Sequence, residues 1–169
     1  MTVDTRDKIV SREEATRRVA QARAAGRKVV FTNGCFDLLH AGHVRLLEQA
    51  RSLGGFLALG LNSDASVRGL GKGPDRPLVP QELRAQVMAG LMAVDLVVIF
   101  DEPTPLELIK ALGPEVLVKG GDWPVEAIVG ADLVLAAGGR VESLPLLEGL
   151  STTALAAKIR AGLDKKPGG

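Results

Sequence analysis

Aromatic residues are scarce in this chain, cysteine occurs once, histidine occurs twice, and neither sign of charge dominates. Each scarcity excludes something. Aromatics make up 3% of the 169 residues, too few for a surface that stacks single-stranded bases. The 21 basic and 20 acidic residues leave a net charge of +1, so the strong basic field of a general nucleic-acid binder is missing. The lone Cys35 has no partner for an intrachain disulfide. Together with the polar start MTVDTRDK, which carries no signal peptide, this points to a reducing cytoplasm. No apolar run is long enough to span a membrane. Neither nucleic acid nor membrane is therefore expected as a partner.

What is present is an alternation of two kinds of segment. Short apolar runs occur at KVVFTN (28–33), FLALGLN (56–62), VDLVVIF (94–100), EVLVKG (115–120), DLVLAAG (132–138) and RVESLPL (140–146). Such runs fit strands buried on both faces of a parallel sheet. Helical patterns lie between them. SREEATRRVAQARAAG opens with Ser11 and has Glu14 three residues later, a capping box, and stops at Gly26. GHVRLLEQARSLG places Val44, Leu47 and Ala50 on one face. PQELRAQVMAGLMA starts at Pro80, TPLELIKALG has Thr104 as cap and Pro105 in its first turn, and STTALAAKIRAGL has Ser151 as cap.

Strands alternating with helices predict an α/β fold: a Rossmann-like open, mostly parallel sheet with helices on both faces. Residues 1–163 read as one domain, with 11–26 a helix leading into it and DKKPGG (164–169) a frayed tail. RGLGKGPDRPLVP (68–80) is too rich in glycine and proline for an element and reads as a loop over the site.

Ligands of such sheets bind beyond the carboxyl ends of the strands. The stretch TNGCFDLLHAGHVRLL (32–47) sits there. Its two histidines, His40 and His43, lack the Cys or His cluster of a structural zinc set. Spacing alone leaves two readings open: structural histidines at a helix start, or donors to a phosphate. The second has a mechanism. Gly34 and Gly42 allow close backbone approach, and the helix beginning near Gly42 presents free N–H groups and a positive dipole end.

GCFDLLHAGH resembles the signature of the HxGH nucleotidyltransferase superfamily, through Gly34, Phe36, Asp37, His40, Gly42 and His43. EGLSTTAL (148–155) resembles that family's second signature, a Ser/Thr-rich helix start that grips the outer phosphates of a nucleoside triphosphate. Nearly the whole chain, including VLVKGGDW (116–123), resembles the D-glycero-β-D-manno-heptose 1-phosphate adenylyltransferases. Some members of that family are fused to a sugar kinase, and this chain resembles the stand-alone form.

The resemblance implies transfer of AMP from ATP to the sugar 1-phosphate, giving ADP-heptose and pyrophosphate for lipopolysaccharide core or another surface glycan. It implies catalytic roles for His40, His43 and Lys119. It implies nucleotide contacts at Asn33, Gly34, Cys35, Phe36, Asp37, Gly42, Gly120, Asp122, Ser151, Thr152 and Thr153. It implies a substrate-phosphate contact at Arg84 and a basic contact from the loop, with Arg68, Lys72 and Arg76 all left open as that residue. No residue binds metal directly, and Mg²⁺ comes with the ATP phosphates. Relatives tend to be dimers or larger, so a homo-oligomer, first a dimer, is expected.

Several positions keep a second reading. Asp37 could orient a water or cap its own turn. Lys119 could serve a phosphate or reach solvent. Asp122 could be a turn residue, Trp123 could stack on adenine or sugar or pack inside, and Arg84 could lie on a solvated helix face. Cys35 reads as a small buried residue. Two other functions compete: a cytidylyltransferase for glycerol or amino-alcohol phosphate, and a non-catalytic nucleotide-binding protein.

Overall fold

The continuous apolar runs form the sheet. In the computed structural model, which describes residues 4–71, 73–147, 149 and 151–163, five strands are aligned. They are β1 (Val29–Gly34), β2 (Phe56–Asn62), β3 (Leu96–Phe100), β4 (Val116–Gly120) and β5 (Arg140–Leu144). Their order is β3-β2-β1-β4-β5, and every neighbouring pair is parallel. β1 is central, with Val30 opposite Leu57 on one side and Val116 on the other. All seven residues of β2 are buried, as a strand covered on both faces requires.

Helices cover both faces. They are α1 (Arg12–Ala24), α2 (Ala41–Ser52), α3 (Asp64–Gly69), α4 (Gln81–Ala89), α5 (Leu106–Leu112), α6 (Ala131–Ala136) and α7 (Thr152–Leu163). Successive strand residues point to opposite faces, and the core divides accordingly. Val29 and Phe31 join Ala15, Val19, Leu108, Ile109 and Val134 from α1, α5 and α6. Val30 joins Leu46, Leu47, Ala50, Ala85 and Met88 from α2 and α4. Each large side chain so buried stabilises the fold by about 1.5–3 kcal/mol. None of the described side chains of α7 belongs to either cluster.

Local signals hold at several helix starts. Ser11 Oγ accepts the Glu14 N–H at 3.2 Å, and Ser151 Oγ accepts the Ala154 N–H at 3.0 Å. The Glu14 carboxylate turns instead to Arg17 and Arg18, so only half of the capping box forms.

Three expectations are corrected. DLVLAAG is not a strand: residues 131–136 form α6, which buries Ala131 and Val134 and exposes Leu133 and Leu135. Burial on one face, three residues apart, is a helical pattern too short to declare itself in the sequence. α5 begins at Leu106 with Pro105 in the cap position, and no side chain caps it, so Thr104 is not the cap. The expected loop 68–80 begins inside α3, which Ser63 caps by accepting the Ser66 N–H at 3.1 Å. Lys72, Glu148, Leu150 and the tail 164–169 lie outside the described residues.

The N-terminal segment runs along the open edge of β3. Ile9 makes a single parallel bridge with Val97, and the Lys8 ammonium donates to the carbonyls of Leu91 and Val94 at 3.1 and 2.7 Å.

Candidate active site

The strand order reverses direction at β1, between β2 and β4, and a cavity of about 450 Å³ opens at that switch, beyond the carboxyl ends of β1 and β4. That volume suits a small-molecule ligand. Asn33 and Gly34 close β1 and begin one wall, which continues through Cys35, Phe36 and Asp37. His40, Gly42 and His43 at the start of α2 form the floor. Lys119 and Gly120 enter from the end of β4. Ser151, Thr152 and Thr153, at the start of α7, also line the cavity. Arg76 reaches in from the loop before α4.

The two histidines act on each other. His40 is the N-cap of α2, and its ring stacks on that of His43 with centroids 3.8 Å apart. Phe36 meets His43 edge-on at 5.3 Å. The Phe36 backbone has φ of 44°, a left-handed conformation unusual for a bulky residue, with a strain of about 1–3 kcal/mol. In that conformation its ring lies edge-on against His43.

The main-chain N–H of His40 donates to His43 Nδ1 at 3.4 Å, so a neutral His43 carries its proton on Nε2. Burial, then the neighbouring His40, pushes the His43 pKa down to about 4. At neutral pH His43 is therefore an uncharged donor. His40 Nδ1 is buried and has no hydrogen-bond partner among the described residues. An unmet buried polar atom costs about 1–3 kcal/mol, which an incoming phosphate oxygen would offset.

Residues 31–143 match the family model described as cytidylyltransferase-like. This chain belongs to that family. It is 57% identical over 156 residues to the "Bifunctional protein HldE" of Trichlorobacter lovleyi, covering 92% of this chain and 32% of that protein. Against the protein of the same name from Caulobacter vibrioides it is 57% identical over 154 residues, covering 91% of this chain and 32% of that one. The chain thus spans about a third of the length of these curated relatives. A solved structure, the lipopolysaccharide core biosynthesis protein from Thermoplasma volcanium GSS1, shares the fold. Its TM-score is 0.58 at 24% identity, over 72% of this chain and 98% of that one.

In this cytidylyltransferase-like chain the remaining predicted residues divide. Asp37 does not cap its own turn. Its buried carboxylate accepts the N–H groups of Leu78 and Val79 at 2.8 and 2.9 Å and pairs with Arg76. It anchors a loop some forty residues away. Arg84 is also corrected: it is not among the residues lining this cavity and lies on no solvated face. Its guanidinium is fully buried, bonded to the carbonyls of Val79, Cys35 and Asn62 and to the Asp64 carboxylate. A phosphate could reach it only by displacing those partners.

Arg68 lies in the last turn of α3, exposed and away from the cavity lining. Asp122 is exposed and likewise outside the lining. Trp123 is half-exposed, with its indole N–H on the Gly120 carbonyl at 3.2 Å, so it neither packs inside nor lines the cavity. Cys35 is part-exposed in the wall rather than buried. Four apolar wall residues went unpredicted: Leu46, Val67, Leu146 and Leu147. The Ser63 cap before Val67 was the one readable signal for them.

Among the described residues, no three His, Cys, Asp or Glu side chains group to hold a metal ion. Asp37 is the one carboxylate in the described lining, and it is already engaged.

Proposed function

We propose that the chain transfers AMP from ATP to D-glycero-β-D-manno-heptose 1-phosphate. One oxygen of the sugar phosphate attacks the α-phosphorus of ATP. The bond from that phosphorus to the bridging oxygen breaks, and pyrophosphate leaves. The products are ADP-heptose, for lipopolysaccharide core or surface-glycan synthesis, and pyrophosphate.

The observation that carries this reading is one cavity that joins His40 and His43, Lys119, and the Ser151–Thr153 helix start. The attacking phosphate is already ionised at neutral pH, so no general base is needed. The difficulty is electrostatic, because two polyanions must meet while charge grows on the leaving group. Positioning and fixed donors answer it. His43 Nε2–H and the His40 ring donate to the phosphates around the reacting phosphorus. The N–H groups and hydroxyls at the start of α7 hold the outer phosphates. Lys119 neutralises charge from the β4 side, and Arg76 grips the acceptor's phosphate. Mg²⁺ would accompany ATP and supply charge neutralisation at its phosphates, with no direct ligand from the described side chains. The enzyme works in the cytoplasm as a homo-oligomer, first a dimer.

The test is pyrophosphate release with Mg²⁺, the heptose 1-phosphate and each of ATP, GTP and CTP in turn. Release with ATP alone is expected. Release only with CTP and a glycerol or amino-alcohol phosphate would move the chain to cytidylyl transfer. No release with any pair would sink the enzymatic reading.

A further inference from the structure

We propose that Arg84 is a positioning residue that sets Arg76 in the cavity wall. The proposal rests on the reading above, in which Arg76 grips the acceptor's phosphate.

Four segments converge on one guanidinium. Arg84 Nε donates to the Val79 carbonyl at 2.8 Å, in the loop before α4. Nη1 donates to the Cys35 carbonyl at 2.6 Å, in the turn after β1. It also donates to the Asn62 carbonyl at 2.9 Å, at the end of β2. Nη2 pairs with Asp64 at 2.7 Å, in the first turn of α3. A cation with no exposed surface is costly unless its donors are met, and here each nitrogen has a partner.

The bonds close a ring. Arg84 holds the carbonyl of Val79, and the N–H of Val79 donates to Asp37 at 2.9 Å. Asp37 is two residues from Cys35, whose carbonyl Arg84 also holds. The β1 turn and the 76–80 loop are thus fastened to each other at two points, from beneath by Arg84 and from within by Asp37. Arg76, paired with Asp37, is the ring's cation that lines the cavity. Its place is therefore set by a side chain that never touches substrate.

Lysine cannot substitute. An ammonium has three donors around one atom, whereas the four acceptors here surround a planar fork. Arg84→Lys is expected to lower kcat/KM for the sugar phosphate by about 10- to 100-fold, the range a 1 Å misplacement produces. The loss should fall mainly on the acceptor's KM, with the KM for ATP nearly unchanged.

The deciding experiment measures both KM values in the wild type, R76A, R84K and the R76A/R84K double variant of the full chain. Wild-type turnover is measured first, and its absence would overturn this proposal together with the functional reading. With turnover present, the double variant should lose no more than R76A alone, because Arg84 would act through Arg76. Losses that multiply would overturn the proposal while leaving the function intact. So would an R84K protein that melts earlier but keeps its acceptor KM. If R84K does not fold, Asp64→Asn removes only the part-exposed carboxylate from the same guanidinium. It should shift the acceptor KM in the same direction by a smaller factor, and an unchanged KM there would overturn the proposal.

Discussion

The turn after β1 and the start of α7 line one cavity, yet they are held in different ways. The β1 turn stands on a buried sheet and is pinned by two buried side chains, the Asp37 carboxylate and the Arg84 guanidinium. None of the described side chains of α7 joins the core. Two polar ties link that helix to the rest of the chain. Thr152 Oγ1 donates to the Leu38 carbonyl at 3.4 Å, and Arg160 pairs with an exposed Asp75 at 2.8 Å. Polar contacts at a surface are individually weak, whereas buried apolar contacts are not. One wall is therefore fixed before any ligand arrives, and the other is the part that ligand binding can strengthen.

The largest effect should come from the fixed side. His43→Ala removes a preorganised donor and is expected to lower kcat by about 10²–10³-fold in steady-state turnover. A smaller loss would mean that the β1 side does not carry the chemistry. Next comes stability. Leu47 is fully buried under the same wall, so Leu47→Ala should cost about 2–5 kcal/mol in urea unfolding. Leu155→Ala on α7, where the side chain is 38% exposed, should stay within about 0.5 kcal/mol. Similar losses from both variants would erase the contrast.

Ser151→Ala removes the α7 cap, worth about 1 kcal/mol to that helix. The KM for ATP should rise several-fold while the unfolding midpoint barely moves, because α7 opens without the core. A parallel fall in the midpoint would show that α7 unfolds with the sheet.

The pH dependence sharpens the same point. The folded His43 titrates near 4 and the unfolded one near 6.5. Between those values only the unfolded chain takes up the proton. Stability contributed by the neutral ring is therefore complete above about pH 6.5 and is lost as pH falls towards 4. A His43→Gln variant should show a flatter melting curve against pH over that window. The smallest effect belongs to Asp75→Ala, which cuts an ion pair some two-thirds exposed on each side and should cost no more than about 0.5 kcal/mol.

Much of this was legible residue by residue. β2 occupies the run FLALGLN from end to end, because seven consecutive buried residues admit little else. Ser11 and Ser151 announced two helices, since a cap is a bond over three residues. The cavity residues from Asn33 to His43, with Lys119, Gly120, Arg76 and the Ser151–Thr153 start, were all named from motifs and meet in one place. The failures were of other kinds. α6 is six residues long, and over so short a span an apolar run has no readable period. Apart from Val79, which is close to Arg84 in the chain, the partners of Arg84 and Asp37 lie 20 to 49 residues away, so no spacing in the sequence encodes those bonds. A motif marks a residue as needed, but only the fold says whether it touches the ligand or holds what does.

The bridge from Ile9 to Val97 bears on the behaviour of the protein in bulk solution. A five-stranded open sheet has two free borders, and an unpaired border invites strands from other molecules. Here the N-terminal segment lies along β3, and Lys8 occupies carbonyls just before it. At the other border β5 is short and carries the Arg140–Glu142 ion pair. The segment ahead of α1 thus covers part of that border against strand-to-strand aggregation, and concentrated stocks should stay clear for as long as it remains seated.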